Sequence, residues 1–257
     1  MESVSVNRVA LEVQRLGAGG GRPLAPIVFL HEGLGSVAMW RDWPAQVCEA
    51  TGRPGIVYSR RGYGASSPVP DVRGSGRLTP DYMHREALDV LPALLGELRI
   101  EHPVLLGHSD GGTIALLHAA HFPVRACVVM APHVIVEDVS IASITQAREA
   151  FTSGGLRDRL ARYHTDVDGA FWQWNDIWLS PAFRGFDIRS ECRRITAPVL
   201  AIQGLDDPYG TLRQIEEIAP TSGPFEKETL ARCGHSPHKD QPEAVTERIA
   251  RFLAPLD

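Results

Sequence analysis

The sequence has few of the features that mark secreted, membrane-spanning and nucleic-acid-binding proteins. It has only four cysteines, and they are scattered with no C-x-x-C pair, which predicts reduced thiols rather than disulfides or a zinc site. The first residues contain no basic segment followed by an apolar one, and no apolar run approaches the length of a membrane span. We therefore expect a soluble, cytoplasmic protein without a signal peptide.

Charge and glycine patterns exclude further classes of protein. The net charge of −5 gives no electrostatic basis for binding nucleic acid or an anionic membrane, so we expect a small-molecule substrate and leave the oligomeric state open. The glycine-rich stretch 17–21 follows no strand and opens no helix, which excludes a dinucleotide-binding loop. His31 and Glu32 begin like a zinc-binding H-E-x-x-H motif, but Gly35 occupies the second histidine position. No cofactor and no metal are predicted.

The chain does contain a regular alternation of buried strands and helices. Short apolar runs, typical of strands buried on both faces of a parallel sheet, recur at 27–30, 56–58, 104–106, 126–130 and 199–202. Helices are expected at 79–98, with Thr79 as the N-cap, and at 113–120 and 242–253, while alternating residues over 4–13 predict an antiparallel hairpin. This pattern predicts an α/β fold with a mostly parallel β-sheet flanked by helices.

The alternation is interrupted once, between residues 134 and 194. This segment contains no buried strand but has helical stretches rich in arginine and tryptophan, and three of the five tryptophans lie there within seven positions. We expect it to form a helical cap over the strand ends, inserted into a core domain formed by residues 1–133 and 195–257.

The strongest chemical signal is a G-x-S-x-G motif that runs from Gly107 to Gly111 and follows a buried strand. A helix is expected directly after it, and that context predicts a nucleophile elbow, a strained turn that presents Ser109 above the sheet edge. Glycine is needed at both ends of the motif because a Cβ there would crowd the sharp turn.

From about Pro26 onward, the chain resembles the α/β-hydrolase family. After the elbow motif itself, the resemblance is carried by four further segments: His31-Glu32-Gly33-Leu34-Gly35 is similar to the family's oxyanion loop, Arg61-Gly62-Tyr63-Gly64-Ala65-Ser66 to its R-G-x-G-x-S turn, Gln203-Gly204-Leu205-Asp206-Asp207-Pro208 to its acid turn, and Cys233-Gly234-His235-Ser236 to its histidine loop. The chain departs from the family twice, with Glu32 in place of a usual glycine and Ser59 in place of a frequent aspartate.

The resemblance implies a catalytic triad in the chain order Ser109, Asp207, His235. His235 is expected to take the Ser109 proton as the hydroxyl attacks a substrate carbonyl, and a carboxylate is expected to orient the other ring nitrogen of His235. The family's spacing favours Asp207 over Asp206 as that carboxylate. Residues 137–138 are a weaker alternative, because some relatives place the acid after the preceding strand.

The same resemblance assigns the oxyanion hole to the backbone N–H groups of Gly33 and Asp110, with Leu34 as the fallback for Gly33. The substrate pocket is expected to be lined by Leu34, His133, Phe171, Trp174 and Trp178. Capping of a loop is an equal alternative for His133. Positions 171, 174 and 178 share one face of a helix, whereas Trp172 points elsewhere.

We therefore expect a serine hydrolase that cleaves a carboxylic ester, lactone or thioester of a small molecule through an acyl-enzyme. Within the same fold, C–C bond hydrolases use the same triad, and a hydrolase-like ligand receptor with slow turnover keeps the same motifs, so both remain alternatives. Glu32 lies in a tight loop and is expected to make a buried hydrogen bond. It is expected to make the site favour neutral or cationic acyl groups over anionic ones, whereas Asp110 falls in the first turn of a helix, where the helix dipole favours a negative charge.

Overall fold

The structure, a computed structural model, describes residues 1–17 and 24–256. The glycine-rich stretch discussed above continues through residues 18–21, which lie outside the described residues. Eight strands form one sheet in the order β1-β2-β4-β3-β5-β6-β7-β8. They are β1 Glu2–Val6, β2 Val9–Leu16, β3 Ile27–Leu30, β4 Gly55–Tyr58, β5 Val104–His108, β6 Ala126–Met130, β7 Val199–Gly204 and β8 Phe225–Leu230.

The sheet is mixed but mostly parallel, which confirms the predicted fold class. Strands β1 and β2 form the predicted antiparallel hairpin, and β2 is also antiparallel to β4, whereas all strands from β3 to β8 pair in parallel. Strand β8 at the edge was not predicted, because its charged sequence Phe-Glu-Lys-Glu-Thr-Leu has no apolar run. Arg248 pairs with Glu226 at 2.5 Å and with Glu228 at 3.0 Å on this strand.

Helices cover both faces of the sheet. They are α1 Trp43–Thr51, α2 Tyr82–Arg85, α3 Leu91–Leu98, α4 Asp110–Ala119, α5 Asp138–Thr152, α6 Leu156–Leu160, α7 Val167–Trp178, α8 Arg189–Cys192, α9 Arg213–Glu216, α10 Pro237–Asp240 and α11 Pro242–Leu253, and a π-helical segment Glu86–Val90 joins α2 to α3. The prediction that Thr79 is an N-cap is wrong. The helix begins after Asp81, and the Thr79 hydroxyl donates to the Asp81 carboxylate instead.

Alternate residues of the buried strands enter two separate apolar cores, one on each face of the sheet. Val28 and Leu30 of β3 face the core formed with α2, α3, α4 and the cap helices, and Ile27 and Phe29 face the core formed with α1 and α11. Each fully buried aliphatic or aromatic side chain stabilises the fold by about 1.5–3 kcal/mol. The sheet is therefore rigid where its strand ends carry the site.

Helices α5 to α8 all lie between β6 and β7, in the segment predicted to form the cap. Its boundaries at residues 134 and 194 remain a prediction.

The four cysteines are buried and free. None of the helices in residues 1–17 and 24–256 combines the length and apolar character needed to cross a membrane.

Candidate active site

Ser109 lies at the junction between β5 and α4 with a strained backbone. Its φ of 54° and ψ of −121° fall in a region that residues with a Cβ rarely adopt. Its N–H donates to the carbonyl of Met130 on the neighbouring strand at 2.9 Å. A Cβ on Gly107 would collide with the backbone of Gly111, and a Cβ on Gly111 would collide with the backbone of Leu30. The turn therefore has the geometry expected of the elbow.

His235 connects Ser109 to a buried carboxylate. Its Nε2 lies 2.9 Å from Ser109 Oγ, and its Nδ1 lies 2.8 Å from Oδ2 and 3.0 Å from Oδ1 of Asp207. Asp207 accepts two more hydrogen bonds of 2.7 Å, from Gln203 Nε2 and from the N–H of Tyr209. Burial raises the pKa of Asp207, but the hydrogen bond and charge of His235 outweigh burial and leave that pKa below its usual value. Asp207 is therefore held as a carboxylate.

The other acidic candidates do not reach His235. The Asp206 side chain is exposed, and the backbone N–H of this residue donates to the Cys233 carbonyl. Glu137 accepts hydrogen bonds from Thr211 and Gln214, and Asp138 pairs with Arg184. The structure thus brings together the three residues expected from the sequence, and their roles remain proposals.

The loop after β3 carries Gly33 to the mouth of the site, where Gly33 and Asp110 both line the cavity around Ser109. His31 braces this loop: its Nδ1–H donates to the Glu32 carbonyl at 2.6 Å, and its Nε2 accepts from the N–H of Arg60 at 3.0 Å. Gly33 therefore lies on a loop with fixed backbone contacts, and Asp110, the other expected donor, is the first residue of α4, directly after the nucleophile.

A cap residue, His164, also holds this loop and was missed from the sequence. Its Nε2–H donates to the Leu34 carbonyl at 2.9 Å, and its Nδ1 accepts from the N–H of Gly64 at 3.0 Å. The contact with Leu34 spans 130 positions, so no local pattern in the sequence could have indicated it. His164 ties the cap to two loops of the core.

The cavity over Ser109 has a volume of about 210 Å³. Four of the five expected pocket residues line it, namely Leu34, His133, Trp174 and Trp178, and the other lining residues are Glu32, Gly33, His108, Ser109, Asp110, Ile144, Tyr209, His235 and Ser236. Sequence reasoning missed the apolar contributions of Ile144 from α5 and of Tyr209. A Cβ on Gly33 would overlap the indole of Trp174, so the cap helix lies directly on the oxyanion loop.

The expectation for Phe171 requires correction, because this residue does not line the cavity. Its ring stacks on Phe151 of α5 with centroids 3.7 Å apart and an interplanar angle of 6°. Phe171 shares a helix face with Trp174, but its ring contacts α5 through Phe151, whereas Trp174 lines the cavity. Phe171 therefore packs the cap helices together. Trp172 points elsewhere as expected, with the Arg73 guanidinium 4.2 Å from its ring centroid.

Glu32 lies between two basic groups at the edge of the cavity. Its Oε2 is 3.5 Å from Nδ1 of His108, and its Oε1 is 3.5 Å from Nζ of Lys239. Burial raises the pKa of Glu32, but Lys239 and His108 reverse this effect and hold the pKa well below its usual value. The carboxylate of Glu32 therefore has two nitrogen neighbours at 3.5 Å and is ionised at the wall of the pocket, and the expected buried hydrogen bond stays a prediction.

Asp110 lines the cavity, while its carboxylate points into the protein. Oδ2 accepts from the Tyr82 hydroxyl at 2.7 Å and lies 3.9 Å from the Arg60 guanidinium. Burial raises the pKa of Asp110, and Arg60 and Tyr82 oppose this shift. The expected benefit of a negative charge at a helix N-terminus is thus joined by specific partners.

His133 lines the pocket as a neutral side chain. Burial lowers the pKa of His133 to about 3, and the charge of His235 contributes to this shift. Its Nε2–H donates to the Tyr209 carbonyl at 3.3 Å. His133 therefore both lines the cavity and caps a loop.

In the described part of the chain, no group of three or more His, Cys, Asp or Glu side chains is placed to hold a metal ion.

Comparisons with known proteins identify the family of this chain. The model of the Alpha/beta hydrolase family matches residues 27–248. Among curated proteins, the chain is similar to the sn-1-specific diacylglycerol lipase ABHD11 of Mus musculus, with 24% identity over 91% of this chain and 83% of the relative. It is also similar to the proline iminopeptidase of Levilactobacillus brevis, with 25% identity over 91% of this chain and 90% of the relative.

Among solved structures, the enol-lactonase from Burkholderia xenovorans LB400 superposes with a TM-score of 0.75. The two chains share 21% sequence identity, and the match covers 98% of this chain and 100% of the other. Further structures with this fold include esterases and peptidases. The fold is thus shared by hydrolases of several substrate classes.

Proposed function

The chain belongs to the alpha/beta hydrolase family, and on that premise we propose that it is a serine hydrolase cleaving a carboxylic ester, lactone or thioester of a small molecule. The observation that carries this proposal is the continuous hydrogen-bond chain from Ser109 Oγ through His235 to Asp207, at the floor of a cavity. The lipase and lactonase among the similar proteins support the same class of substrate.

Each step of the reaction has a group in place. His235 Nε2 accepts the hydroxyl proton as Ser109 Oγ bonds to the carbonyl carbon, and Asp207 stabilises the resulting imidazolium. The N–H groups of Gly33 and Asp110 donate to the oxyanion. His235 then gives its proton to the leaving group as that bond breaks, and water, activated in the same way, releases the acid and restores Ser109.

The cavity limits the size of the acyl group. Its volume of about 210 Å³ lies below the roughly 300–1,000 Å³ that is typical of small-molecule pockets. The walls formed by Ile144, Trp174 and Trp178 are apolar. The proposed substrate therefore carries a short acyl chain or a small lactone ring.

An amide is the second candidate substrate. Glu32 places an ionised carboxylate at the cavity wall, where it could contact a substrate ammonium group, and one curated relative is called a proline iminopeptidase. A substrate with a free amine and a scissile amide would use the same triad. Parallel assays with proline p-nitroanilide and with p-nitrophenyl acetate distinguish the two candidates.

The experiment that tests the proposal is a steady-state assay on p-nitrophenyl esters of increasing chain length. We expect sustained turnover that declines beyond short acyl chains. The Ser109→Ala variant should have a kcat lower by about 10⁶-fold. A single slow burst would indicate a receptor instead. An alanine variant that keeps a tenth of the wild-type rate would exclude Ser109 as the nucleophile.

A further inference from the structure

A second cavity, which the proposed reaction does not use, lies beside the active site. It has a volume of about 640 Å³, and the turn after β4, the loop 69–79, the helical segment 82–90 and Gln173 of α7 form its walls. Four arginines line it, so we call it the arginine cleft: Arg60, Arg61, Arg77 and Arg85. It shares no lining residue with the cavity over Ser109.

The charge of the arginine cleft is opposite to that of the chain as a whole, which carries a net charge of −5. Among the described residues that line it, Glu86 is the only acidic one. Arg85 pairs with Asp81 at 2.7 Å, whereas the exposed side chains of Arg61 and Arg77 form no ion pair within residues 1–17 and 24–256. Two guanidinium groups are therefore available to an anion.

The wall of the cleft combines a fixed loop with apolar and polar surfaces. The Asp71 carboxylate accepts from the N–H of Ser75 at 2.8 Å, and its carbonyl accepts from the N–H groups of Gly74 and Gly76, which holds the loop in place. Apolar surface comes from Val69, Pro70, Leu78 and Val90.

Three polar atoms of lining side chains are buried and have no hydrogen-bond partner in the described part of the chain. They are Arg60 Nε, Tyr63 Oη and Gln173 Nε2. Because these atoms are buried, they lie behind the surface of the cleft, and the exposed guanidinium groups of Arg61 and Arg77 are the ones that a ligand meets.

We propose that the arginine cleft binds a small organic carboxylate with an apolar body. A guanidinium group presents a planar fork of N–H donors that matches the two oxygens of a carboxylate, so Arg61 and Arg77 suit this anion. The apolar side chains of the cleft suit the apolar body of such a molecule. Inorganic anions have no apolar body, so the cleft favours an organic carboxylate over them.

A ligand in the cleft would touch residues that hold the active site. The Arg60 guanidinium donates to the Glu32 carbonyl in the oxyanion loop at 2.9 Å. The Tyr82 hydroxyl donates to Asp110, which follows the nucleophile, at 2.7 Å. Gln173 precedes Trp174, which lines the catalytic cavity. Occupation of the cleft should therefore change kcat rather than compete with substrate.

The test is calorimetric titration of benzoate into the full chain carrying Ser109→Ala, so that turnover does not contribute heat. We expect saturable binding that the added pair Arg61→Gln and Arg77→Gln weakens at least about tenfold, as the loss of charge-assisted hydrogen bonds predicts. The control is Arg162→Gln, an exposed arginine away from the cleft, which should leave binding unchanged. Benzamide, the neutral analogue, should bind at least about tenfold more weakly.

A kinetic measurement on the chain with Ser109 intact distinguishes the cleft from the active site. Benzoate should change the kcat for a p-nitrophenyl ester, and the effect should be absent when both arginines are replaced. The proposal is overturned if benzoate raises only KM and does so equally in the double variant, since benzoate would then occupy the catalytic cavity. Absence of saturable binding, or equal binding of benzamide, overturns it as well.

Discussion

The choice of Asp207 over its neighbour Asp206 gives the sharpest test of the site. Asp207 has a side chain that is only 1% exposed, and each of its oxygens has a donor besides His235. Replacing it by asparagine keeps its shape but substitutes an NH₂ group for one oxygen. The structure shows where that NH₂ group would go.

An NH₂ group in the Oδ1 position would face the N–H of Tyr209, which is another donor. In the Oδ2 position it would face Gln203, whose side chain can turn its unpartnered Oε1 to accept from it. The second arrangement is therefore favoured, and it aims an N–H at Nδ1 of His235. This N–H competes with the oxygen in the Oδ1 position, 3.0 Å from Nδ1, and favours the tautomer with the ring proton on Nε2, where it blocks acceptance of the Ser109 proton.

We expect Asp207→Asn to lower kcat about 10⁴-fold, the cost of the wrong tautomer in a serine triad. This factor corresponds to about 5.4 kcal/mol of transition-state stabilisation. The matched control is Asp206→Asn, which should change kcat less than about twofold because that side chain is exposed and away from His235.

The assay is kcat on p-nitrophenyl acetate, with urea unfolding curves showing that both variants are folded. Equal losses in the two variants would refute the assignment of the acid. So would a folded Asp207→Asn enzyme that keeps more than a tenth of its rate.

Three further predictions concern the pocket and its charge. Trp178→Ala should broaden acyl-chain preference on p-nitrophenyl esters, whereas Phe171→Ala should lower stability by about 3–5 kcal/mol in urea unfolding and leave that preference unchanged; the reverse pattern would contradict the placement of Phe171. Glu32→Gln should raise kcat/KM for a carboxylate-bearing ester relative to its neutral analogue, and an existing wild-type preference for the anionic ester would refute a negative pocket. The pKa of His133 falls to about 3 on folding, so between the unfolded value and that pH the unfolded chain binds the extra proton and stability declines with acidification. Between pH 6.5 and 5, His133→Gln should therefore lose about 1.6 kcal/mol less of its free energy of unfolding than the wild type, and equal losses in urea unfolding of the two proteins would exclude this effect.

The central strands and the order of the motifs could be predicted because both depend on local sequence. A strand buried on both faces must be apolar throughout, and a turn such as that at Gly107 tolerates only small residues. Strand β8 escaped prediction because an edge strand with solvent on one side needs no apolar run. The start of the helix after Asp81 was missed, since threonine and aspartate are both favoured at an N-cap and the spacing alone does not decide between Thr79 and Asp81.

Long-range contacts account for the remaining differences in the site. The helical face shared by Phe171 and Trp178 is visible in the sequence, but the position of α5 decides which of them reaches the cavity. His164 braces a loop 130 residues away, and no spacing rule connects the two. Glu32 could be singled out as unusual, whereas its partner Lys239 could not be identified before the chain was folded.

The charged edge strand has a consequence for how copies of this chain meet. β8 ends the sheet, and its outer backbone groups could pair with a strand of another molecule. An antiparallel pairing of two copies centred on Lys227 would set each Glu226 directly opposite a Glu228, and like charges in such positions destabilise a sheet. It would also disturb Arg248, which neutralises both glutamates within its own molecule. The charged sequence of β8 therefore disfavours association of folded copies through the open edge of the sheet.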